Sequence, residues 1–314
     1  MNRESRIFVA GHRGMVGGSV RGMLNAKGYK NLLTRSSKEL DLREQTAVRN
    51  FFQNEKPEYV FLAAAKVGGI LANSEAKAEF FYDNAMIALN VIHSAFESGV
   101  KKFVNLGSSC IYPKMAPQPL KEDYLLTGPL EPTNEGYAVA KIAAIKQCGF
   151  YNQQYGTDFI SVMPTNLYGY NDNFDLTSSH VLPAMIRKFH DAVESGGSVT
   201  LWGDGTPMRE FLFADDLAEA VIFLMENYHA SDIGELVNIG TGKDITIKNL
   251  AELISDVVGY NGDIVWDTSK PNGTPRKVLD VSKINNLGWK ASTNLKEGIE
   301  KTYAWFLENR PGGE

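Results

Sequence analysis

The sequence predicts an α/β fold in which a Rossmann-like, doubly wound parallel sheet carries a smaller, partly discontinuous C-terminal substrate lobe. Two observations lead to this prediction. Short apolar runs alternate with helical segments of ten or more residues, as parallel strands joined by crossover helices require. The first apolar run is followed at once by a glycine-rich turn, which is typical of nucleotide-binding folds of this kind.

The predicted strands of the main sheet are almost continuously apolar, which is typical of strands buried on both faces. They cover residues 6–10, 31–33, 59–63, 102–106 and 159–163. After residue 164 the pattern loosens into stretches rich in Asn, Asp, Gly and Ser, with helices predicted over 181–193, 247–258 and 295–307. A helix over 215–227 and a strand over 236–239 indicate a return to the main sheet.

These patterns divide the chain into two parts. We expect residues 1–166 to form a nucleotide-binding Rossmann domain, to which residues 214–240 return. We expect residues 167–213 and 241–314 to form the substrate-binding lobe over the carboxyl ends of the strands.

Composition narrows the class of protein. The 314 residues are 43% hydrophobic and 22% charged, and their net charge of −5 offers no broad basic surface for a nucleic acid. Two cysteines cannot build a disulfide framework, and no apolar run reaches the ~20 residues of a membrane span. Residues 1–5 lead directly into a strand, without the apolar region of a signal peptide. We expect a soluble cytoplasmic protein with neither a nucleic-acid nor a membrane partner, and we predict no metal site.

The turn after the first strand is a GxxGxxG variant. It consists of Gly11, His12, Arg13, Gly14, Met15, Val16 and Gly17. Glycines allow a tight turn and a close approach of the backbone, and the N-terminus of the following helix presents N–H groups to a pyrophosphate. A strand-to-helix turn without a ligand is the alternative interpretation.

The end of the second strand favours NADP(H) over NAD as the cofactor. NAD-binding proteins usually place a carboxylate here for the ribose 2′-hydroxyl, whereas this chain has Arg35 between Thr34 and Ser36. Together with Arg13, this guanidinium suits a 2′-phosphate, although either arginine could be a solvated surface charge. Asp41 and Leu42, on the following loop, are placed to meet the adenine.

Ser108, Tyr137 and Lys141 form a candidate set for hydride transfer to or from a carbonyl. Tyr137 and Lys141 are four residues apart on a predicted helix, so the ammonium lies beside the phenol and favours its ionisation. Ser108 follows the fourth strand and can hydrogen-bond the carbonyl to which Tyr137 gives a proton, while Lys141 also holds the nicotinamide ribose. The alternatives are a core tyrosine and an ordinary turn serine.

Cys110 and His180 add a second possible chemistry. A thiolate two residues beyond Ser108 can remove a hydrogen next to a ketone, and an imidazole on the opposite side can return a proton, which inverts the carbon. Taken singly, Cys110 would be a small buried hydrophobe and His180 a residue at the start of a helix.

Five segments occur in an order that resembles the GDP-L-fucose synthase family, in the extended sugar-nucleotide branch of the short-chain dehydrogenase/reductase superfamily. They are residues 63–69, 107–114, 164–169, 179–181 and 205–211, and the resemblance runs from the first strand almost to the C-terminus. The Ser108-Ser109-Cys110-Ile-Tyr-Pro block discriminates best, because related dehydratases typically have Thr-Asp-Glu there and UDP-sugar 4-epimerases generally lack the cysteine.

The resemblance implies a bifunctional enzyme that converts GDP-4-keto-6-deoxy-D-mannose to GDP-L-fucose. Cys110 would be the base and His180 the acid that invert C3 and C5, and Tyr137, Ser108 and Lys141 would serve the reduction of the C4 ketone by NADPH. Further cofactor contacts would come from Leu106, Gly107, Ser109, Pro164, Thr165, Asn166 and Leu167, in addition to Lys141 and His180.

The resemblance also implies four substrate-binding residues, Lys188, Trp202, Arg209 and Asp280. Lys188 stands where the family is expected to have an arginine, so the bidentate contact would be lost. The competing interpretations are an NADP-dependent reductase or epimerase of another nucleotide sugar, with Cys110 inert, and a non-catalytic NADP-binding protein. The helix predicted over 75–97 is apolar on more than one face, which favours a homodimer over burial within one chain.

Overall fold

The computed structural model describes residues 1–270 and 272–309. A six-stranded sheet, in which all neighbouring strands are parallel, forms its centre in the order β2-β1-β3-β4-β5-β9. The strands are β1 (Arg6–Ala10), β2 (Asn31–Leu33), β3 (Tyr59–Leu62), β4 (Lys102–Leu106), β5 (Phe159–Pro164) and β9 (Val237–Ile239). This confirms the predicted α/β fold class with its parallel sheet, and the strand order reverses between β1 and β3, where such sheets bind ligands.

Helices cover both faces of this sheet because alternate strand residues point to opposite sides. Ile7 and Val9 pack into the core that includes α1 (Met15–Ala26) and α7 (Ala214–Asn227). Phe8 and Ala10 pack into the opposite core, whose helices are α2 (Gln45–Glu55), α4 (Lys77–Glu97) and α5 (Glu135–Tyr155). The helix predicted over 75–97 begins later in the structure. Glu75 is the last residue of α3 (Ile70–Glu75), the backbone of Ala76 is not helical, and α4 starts at Lys77.

Two smaller sheets lie outside the main one. One contains β6 (Asn166–Tyr168), β8 (Met208–Phe213), β10 (Asp244–Thr246) and β12 (Arg276–Lys277), and the other pairs β7 (Val199–Trp202) with β11 (Ile264–Asp267). Helices α6 (Val181–Ser195), α9 (Ile247–Val258) and α11 (Leu295–Asn309) pack with them around a third core, and α8 (Ala230–Ile233) and α10 (Ser282–Asn286) are short. None of these six strands was predicted from the sequence.

The division into a nucleotide-binding domain and a lobe stays a prediction, and residues 310–314 of its second part lie outside the described residues.

Two short segments connect the main sheet with the smaller ones. In the first, β5 runs almost directly into β6, which pairs with β8; in the second, β9 is followed closely by β10, which pairs with β8 from the other side. Among the helices of the described residues, none is long and apolar enough to cross a membrane.

Candidate active site

The glycine-rich turn is shaped by close backbone packing at two of its glycines. Gly11 has a φ of +84°, and a Cβ there would lie 2.7 Å from the amide nitrogen of Ala64. A Cβ on Gly17 would lie 2.2 Å from the carbonyl oxygen of Gly11. Around Gly14 the nearest such atom is 3.5 Å away, and no side chain caps the start of α1, so its first N–H groups face an open side. The turn therefore fits a pyrophosphate.

Two arginines lie near the place predicted for a 2′-phosphate. Arg13 is exposed on the glycine-rich turn. Arg35 is held in place, because its guanidinium pairs with the Glu55 carboxylate at 2.5 Å and lies 5.4 Å from the centre of the Phe51 ring. His12, by contrast, is buried, and burial together with the charges of Arg21 and Arg13 lowers its pKa.

Asp41 and Leu42 are anchored by neighbouring residues. The Asp41 carboxylate accepts hydrogen bonds from the guanidinium and the backbone N–H of Arg43, which lower its pKa. The Leu42 carbonyl accepts a hydrogen bond of 3.0 Å from Asn90. Their contact with an adenine stays a prediction.

The carboxyl end of β4 carries the first candidate catalytic residues. A Cβ on Gly107 would lie 2.2 Å from the Met163 Cε atom, so this glycine lets β4 pack tightly against β5. Ser108 then adopts an extended backbone and caps a short 3₁₀ helix, Ser109–Ile111, with its hydroxyl 3.4 Å from the Cys110 backbone nitrogen. Ser108 and Cys110 are thereby held at the same end of one strand, and Ser109 is buried beneath them.

Tyr137 and Lys141 reach this strand end from α5. The Lys141 ammonium donates a hydrogen bond of 2.8 Å to the Leu106 carbonyl and lies 5.6 Å from the centre of the Tyr137 ring. Burial raises the pKa of the Tyr137 phenol, the Cys110 charge adds to this, and hydrogen bonding with Ser108 opposes it. Burial is the largest of these influences, and the expected lowering of the Tyr137 pKa by Lys141 stays a prediction. Burial also lowers the pKa of Lys141 itself, to about 8.

Cys110 and His180 approach from different parts of the chain. Cys110 is only 7% exposed, and burial raises the pKa of its thiol. His180 precedes the first residue of α6 and keeps solvent-accessible surface, yet the surrounding protein desolvates it enough to lower its pKa. The pKa of each group is also lowered by the charge of the same residue, Lys277.

Lys277 lies near this cluster and was not among the residues predicted from the sequence. It lies on β12, directly opposite Arg209 of β8, and burial lowers its pKa. Its charge also interacts with those of Cys110, Arg209 and Glu131. In the sequence it is one half of an Arg276-Lys277 pair, which nothing distinguishes from ordinary solvated charges.

The predicted substrate residues lie in the smaller sheets and on α6. The Arg209 guanidinium donates to the Met208 carbonyl at 2.8 Å, and burial lowers its pKa. The Lys188 ammonium donates to the Thr200 carbonyl at 2.8 Å, so its position depends on β7. Trp202, at the end of β7, is 54% exposed, and the Lys270 ammonium lies 5.7 Å from the centre of its ring.

Asp280 differs from the other predicted substrate residues. Its carboxylate accepts a hydrogen bond of 2.9 Å from the Ser282 backbone N–H at the start of α10, and this lowers its pKa. Its backbone N–H and carbonyl bind Leu120 and Asn238. These contacts give Asp280 a structural role at the start of α10, and its contact with a substrate stays a prediction.

The segment from Pro164 to Leu167 connects the main sheet with β8. The Thr165 hydroxyl and the Asn166 side-chain amide both donate to the backbone carbonyl of Glu210, at 3.2 and 2.8 Å. Pro164 pairs with β9 and Leu167 with β8.

The described residues contain no cluster of three or more His, Cys, Asp or Glu side chains that could hold a metal ion.

The fold and this cluster define a class of enzyme in which a dinucleotide turn lies beside a serine, a tyrosine and a lysine suited to carbonyl chemistry. The family described as "NAD dependent epimerase/dehydratase family" matches residues 7–240. The chain is 56% identical to a putative GDP-L-fucose synthase 2 of Arabidopsis thaliana over 98% of this chain and 94% of that protein. It is 52% identical to the GDP-L-fucose synthase of Escherichia coli K12 over 98% of each.

Among solved structures, a GDP-mannoheptose C4 reductase from Campylobacter jejuni with NADP bound superimposes with a TM-score of 0.90, at 42% identity over 98% of this chain and 99% of that chain. The chain therefore belongs to the NAD dependent epimerase/dehydratase family and, within it, to the GDP-L-fucose synthase family. The resemblance indicated by the five sequence segments is confirmed.

Proposed function

We propose that this protein converts GDP-4-keto-6-deoxy-D-mannose to GDP-L-fucose by inverting C3 and C5 and then reducing the C4 ketone with NADPH. The observation that carries the proposal is the position of Cys110. Cys110 lies two residues beyond Ser108, whose hydroxyl is 3.4 Å from the Cys110 backbone nitrogen, at the end of the strand whose Leu106 carbonyl binds the Lys141 ammonium. A possible base thus stands inside the set of residues suited to carbonyl reduction. The ketone that accepts the hydride also makes the neighbouring C–H bonds acidic, so one pocket can serve every step.

The residues present fit NADP(H). The open side of Gly14 and the uncapped start of α1 would receive the pyrophosphate, and Arg13 and Arg35 would hold the 2′-phosphate. When bound, NADPH supplies the hydride for C4. The Lys141 ammonium, fixed by the Leu106 carbonyl, would hold the nicotinamide ribose.

In the epimerisation, the Cys110 thiolate takes the proton from C3 or C5, and the electron pair of that C–H bond moves towards the C4 oxygen. The Ser108 and Tyr137 hydroxyls donate hydrogen bonds to the resulting enolate. His180 returns a proton to the opposite face of the carbon, which completes the inversion. The assignment requires Cys110 without its proton and His180 with one, whereas burial of the thiol and partial desolvation of the exposed imidazole favour the neutral form of each.

In the reduction, Tyr137 donates its proton to the C4 oxygen while Ser108 orients the carbonyl. The raised pKa of Tyr137 keeps the phenol protonated and available as the donor. Arg209 would bind the diphosphate or ribose oxygens, Trp202 would form an apolar wall, and Lys188 would supply one charge from α6.

A second candidate is a C4 reductase of a related GDP-sugar with Cys110 inert. The similarity to the C. jejuni C4 reductase favours it, as does the burial of the Cys110 thiol. The two candidates differ in whether protons from solvent enter the carbon skeleton.

The test follows NADPH absorbance during reaction with GDP-4-keto-6-deoxy-D-mannose in deuterated water, with mass analysis of the sugar. We expect NADPH oxidation and two carbon-bound solvent deuteriums in the product. Cys110→Ser should abolish the deuterium incorporation, and Tyr137→Phe should retain it while reduction falls by about 10²- to 10⁴-fold. NADPH oxidation without deuterium would establish the simple reductase, and loss of exchange in Tyr137→Phe would refute the division of roles.

We infer that the protein forms a homodimer through α4 and α5. Large side chains on these helices remain exposed although the helices pack against each other. They are Phe81, Tyr82, Leu89, Val139, Phe150 and Tyr155. A patch of this kind is typical of an interface between copies. Sedimentation equilibrium should give twice the chain mass, and Phe150→Glu should shift the equilibrium towards the monomer; a wild-type monomer at micromolar concentration would refute the dimer.

A cytoplasmic location is the remaining part of the proposal. Cys110 and Cys148 are both free and buried, as suits a reducing compartment. Fractionation of cells that express the protein at its native level should recover it with cytoplasmic markers; recovery with another compartment would refute the location.

A further inference from the structure

The strand segment that carries Lys277 is fixed on two sides. On one side β12 pairs with β8, so that Lys277 lies opposite Arg209. On the other side the Leu120 backbone N–H donates to the Val278 carbonyl at 2.8 Å, and the Asp280 N–H donates to the Leu120 carbonyl at 2.8 Å. The segment therefore lies as a strand between β8 and the chain around Leu120.

The direction of the Lys277 side chain follows from this pairing. Residues two apart in an extended chain point to the same face, so Lys277 and Leu279 share one face and Arg276 points to the other. Leu279 is buried in the same core as Ile111, the residue after Cys110. Arg276 pairs with Asp244 at 2.5 Å. The strand therefore aims Lys277 towards the 3₁₀ helix that holds Cys110.

The charges around the two groups are consistent with this direction. Lys277 exerts the largest influence that favours the Cys110 thiolate, ahead of the Ser108 hydrogen bond and the Lys141 charge, and the charge of Cys110 in turn raises the pKa of Tyr137. The groups whose charges are coupled to Lys277 are Cys110, Arg209, Glu131 and His180. The Lys277 ammonium forms no ion pair or hydrogen bond within the described residues, and Glu131 pairs with Lys114 instead, so the Lys277 charge is not neutralised by direct contact.

We propose that Lys277 is a positioning residue whose ammonium stabilises the Cys110 thiolate, and that the buried Glu210 carboxylate holds the strand that brings it there. The inference rests on the proposed role of Cys110 as a base. The thiol proton leaves to solvent, and the anion that remains is stabilised by the neighbouring cation without any change in oxidation state.

Glu210 is suited to the anchoring role. It is fully buried on β8 beside Arg209, and its carboxylate accepts backbone hydrogen bonds from Leu279 at 2.8 Å, Thr241 at 2.6 Å and Gly242 at 2.7 Å. It therefore fixes both the strand that carries Lys277 and the turn between β9 and β10. The Thr241 hydroxyl also donates to this carboxylate, at 3.3 Å, and a buried carboxylate that satisfies so many donors makes these positions sensitive to its loss.

The first test measures how readily Cys110 loses its proton. In a Cys148→Ser background Cys110 is the only thiol, so the rate of its alkylation by iodoacetamide between pH 6 and 10 gives the ionisation midpoint. Lys277→Met should raise the midpoint by about one pH unit or more. Lys277→Arg should keep most of the wild-type value, and Lys243→Met, at an exposed lysine of the turn after β9, should leave it unchanged. An unchanged midpoint in Lys277→Met would overturn the proposal.

A second readout separates an electrostatic role from loss of structure. A positive charge favours the thiolate and disfavours the imidazolium, so removing it raises the pKa of both Cys110 and His180. Both limbs of the pH profile for deuterium exchange should therefore move to higher pH in Lys277→Met. Glu210→Gln places an amide nitrogen opposite one of the N–H donors and should shift both limbs by a smaller amount in the same direction. This variant replaces Lys277→Met in the test if Lys277→Met does not fold. A lower rate with both limbs unmoved in these variants would overturn the proposal.

Failure of this inference is distinguishable from failure of the proposed function. If Cys110→Ser still exchanges deuterium, the base is another group, whatever the alkylation midpoint shows. If Cys110→Ser abolishes exchange while Lys277→Met leaves the midpoint unchanged, Cys110 remains the base and Lys277 loses its role.

Discussion

The main sheet and the smaller sheets hold their functional residues in different ways. In the main sheet, Ser108 and Cys110 follow the end of β4 directly, and one helix, α5, supplies Tyr137 and Lys141. In the smaller sheets, Arg209 and Lys277 come from strands that are far apart in sequence and meet only by pairing. The proposed reductive set is thus assembled within one part of the fold, whereas the proposed epimerisation also needs His180 and Lys277 from outside it. Changes in the two parts should therefore have separable effects.

The largest effect should come from the tight turn of the main sheet. Gly17→Ala places a Cβ 2.2 Å from the Gly11 carbonyl oxygen, so we expect a loss of about 3 kcal/mol in the free energy of unfolding and weaker NADPH binding. Urea unfolding and fluorescence titration measure the two. Gly22→Ala is the matched control on the same helix, because its Cβ would meet nothing within 4 Å, and it should stabilise the protein by about 0.5–1 kcal/mol. Equal effects of the two changes would contradict the packing argument.

A change in the smaller sheets should leave the cofactor site intact. Arg209→Met removes a desolvated guanidinium, so GDP-sugar affinity should fall by about 2–3 kcal/mol, roughly 30- to 150-fold, while NADPH affinity stays unchanged. Calorimetry with each ligand provides the comparison. Arg276→Met, which removes a half-exposed guanidinium that pairs with Asp244 on the other face of β12, should change GDP-sugar affinity little. An equal loss for both ligands would show that the two regions are not separable.

The cofactor preference offers the opposite test. Arg35→Ala should weaken NADPH binding about tenfold and leave NADH binding unchanged, because only the 2′-phosphate needs the guanidinium. Direct titration with both cofactors gives the ratio. Arg49→Ala, at an exposed arginine of α2 that pairs with Glu97, is the control. A parallel loss of NADH binding would assign Arg35 to the structure of the loop instead.

The smallest effect should come from a buried carboxylate after β6. One oxygen of Asp172 accepts from the Asn173 N–H, the other has no hydrogen-bond partner among the described residues, and burial raises the pKa to about 7. Because an unfolded aspartate has a pKa near 3.9, the folded protein binds more protons between about pH 4 and pH 7, and stability falls as the pH rises through this window. Asp172→Asn should therefore stabilise the protein by about 1 kcal/mol at pH 8 and have little effect at pH 4. A pH-independent difference in urea unfolding would refute this origin.

Much of the main sheet could be predicted because its signals are local. The predicted strand over 102–106 matches β4, and the turn from Gly11 to Gly17 lies between β1 and α1. Strands of two to six residues such as β8 and β12 escaped prediction because they are too short for a period of two to emerge from a polar, glycine-rich background. Lys277 could not be predicted either, because the residues that it meets lie on other segments of the chain.

The sequence by itself determined the class of fold, the dinucleotide turn and the family, because periodic apolar runs, glycines and ordered motifs are properties of contiguous residues. The tertiary structure alone decided which charges meet. It decided that burial raises the pKa of Tyr137, since desolvation depends on every atom packed around the phenol. It also brought Lys277 towards Cys110 across more than 160 residues of chain, through strand pairing that no local pattern encodes.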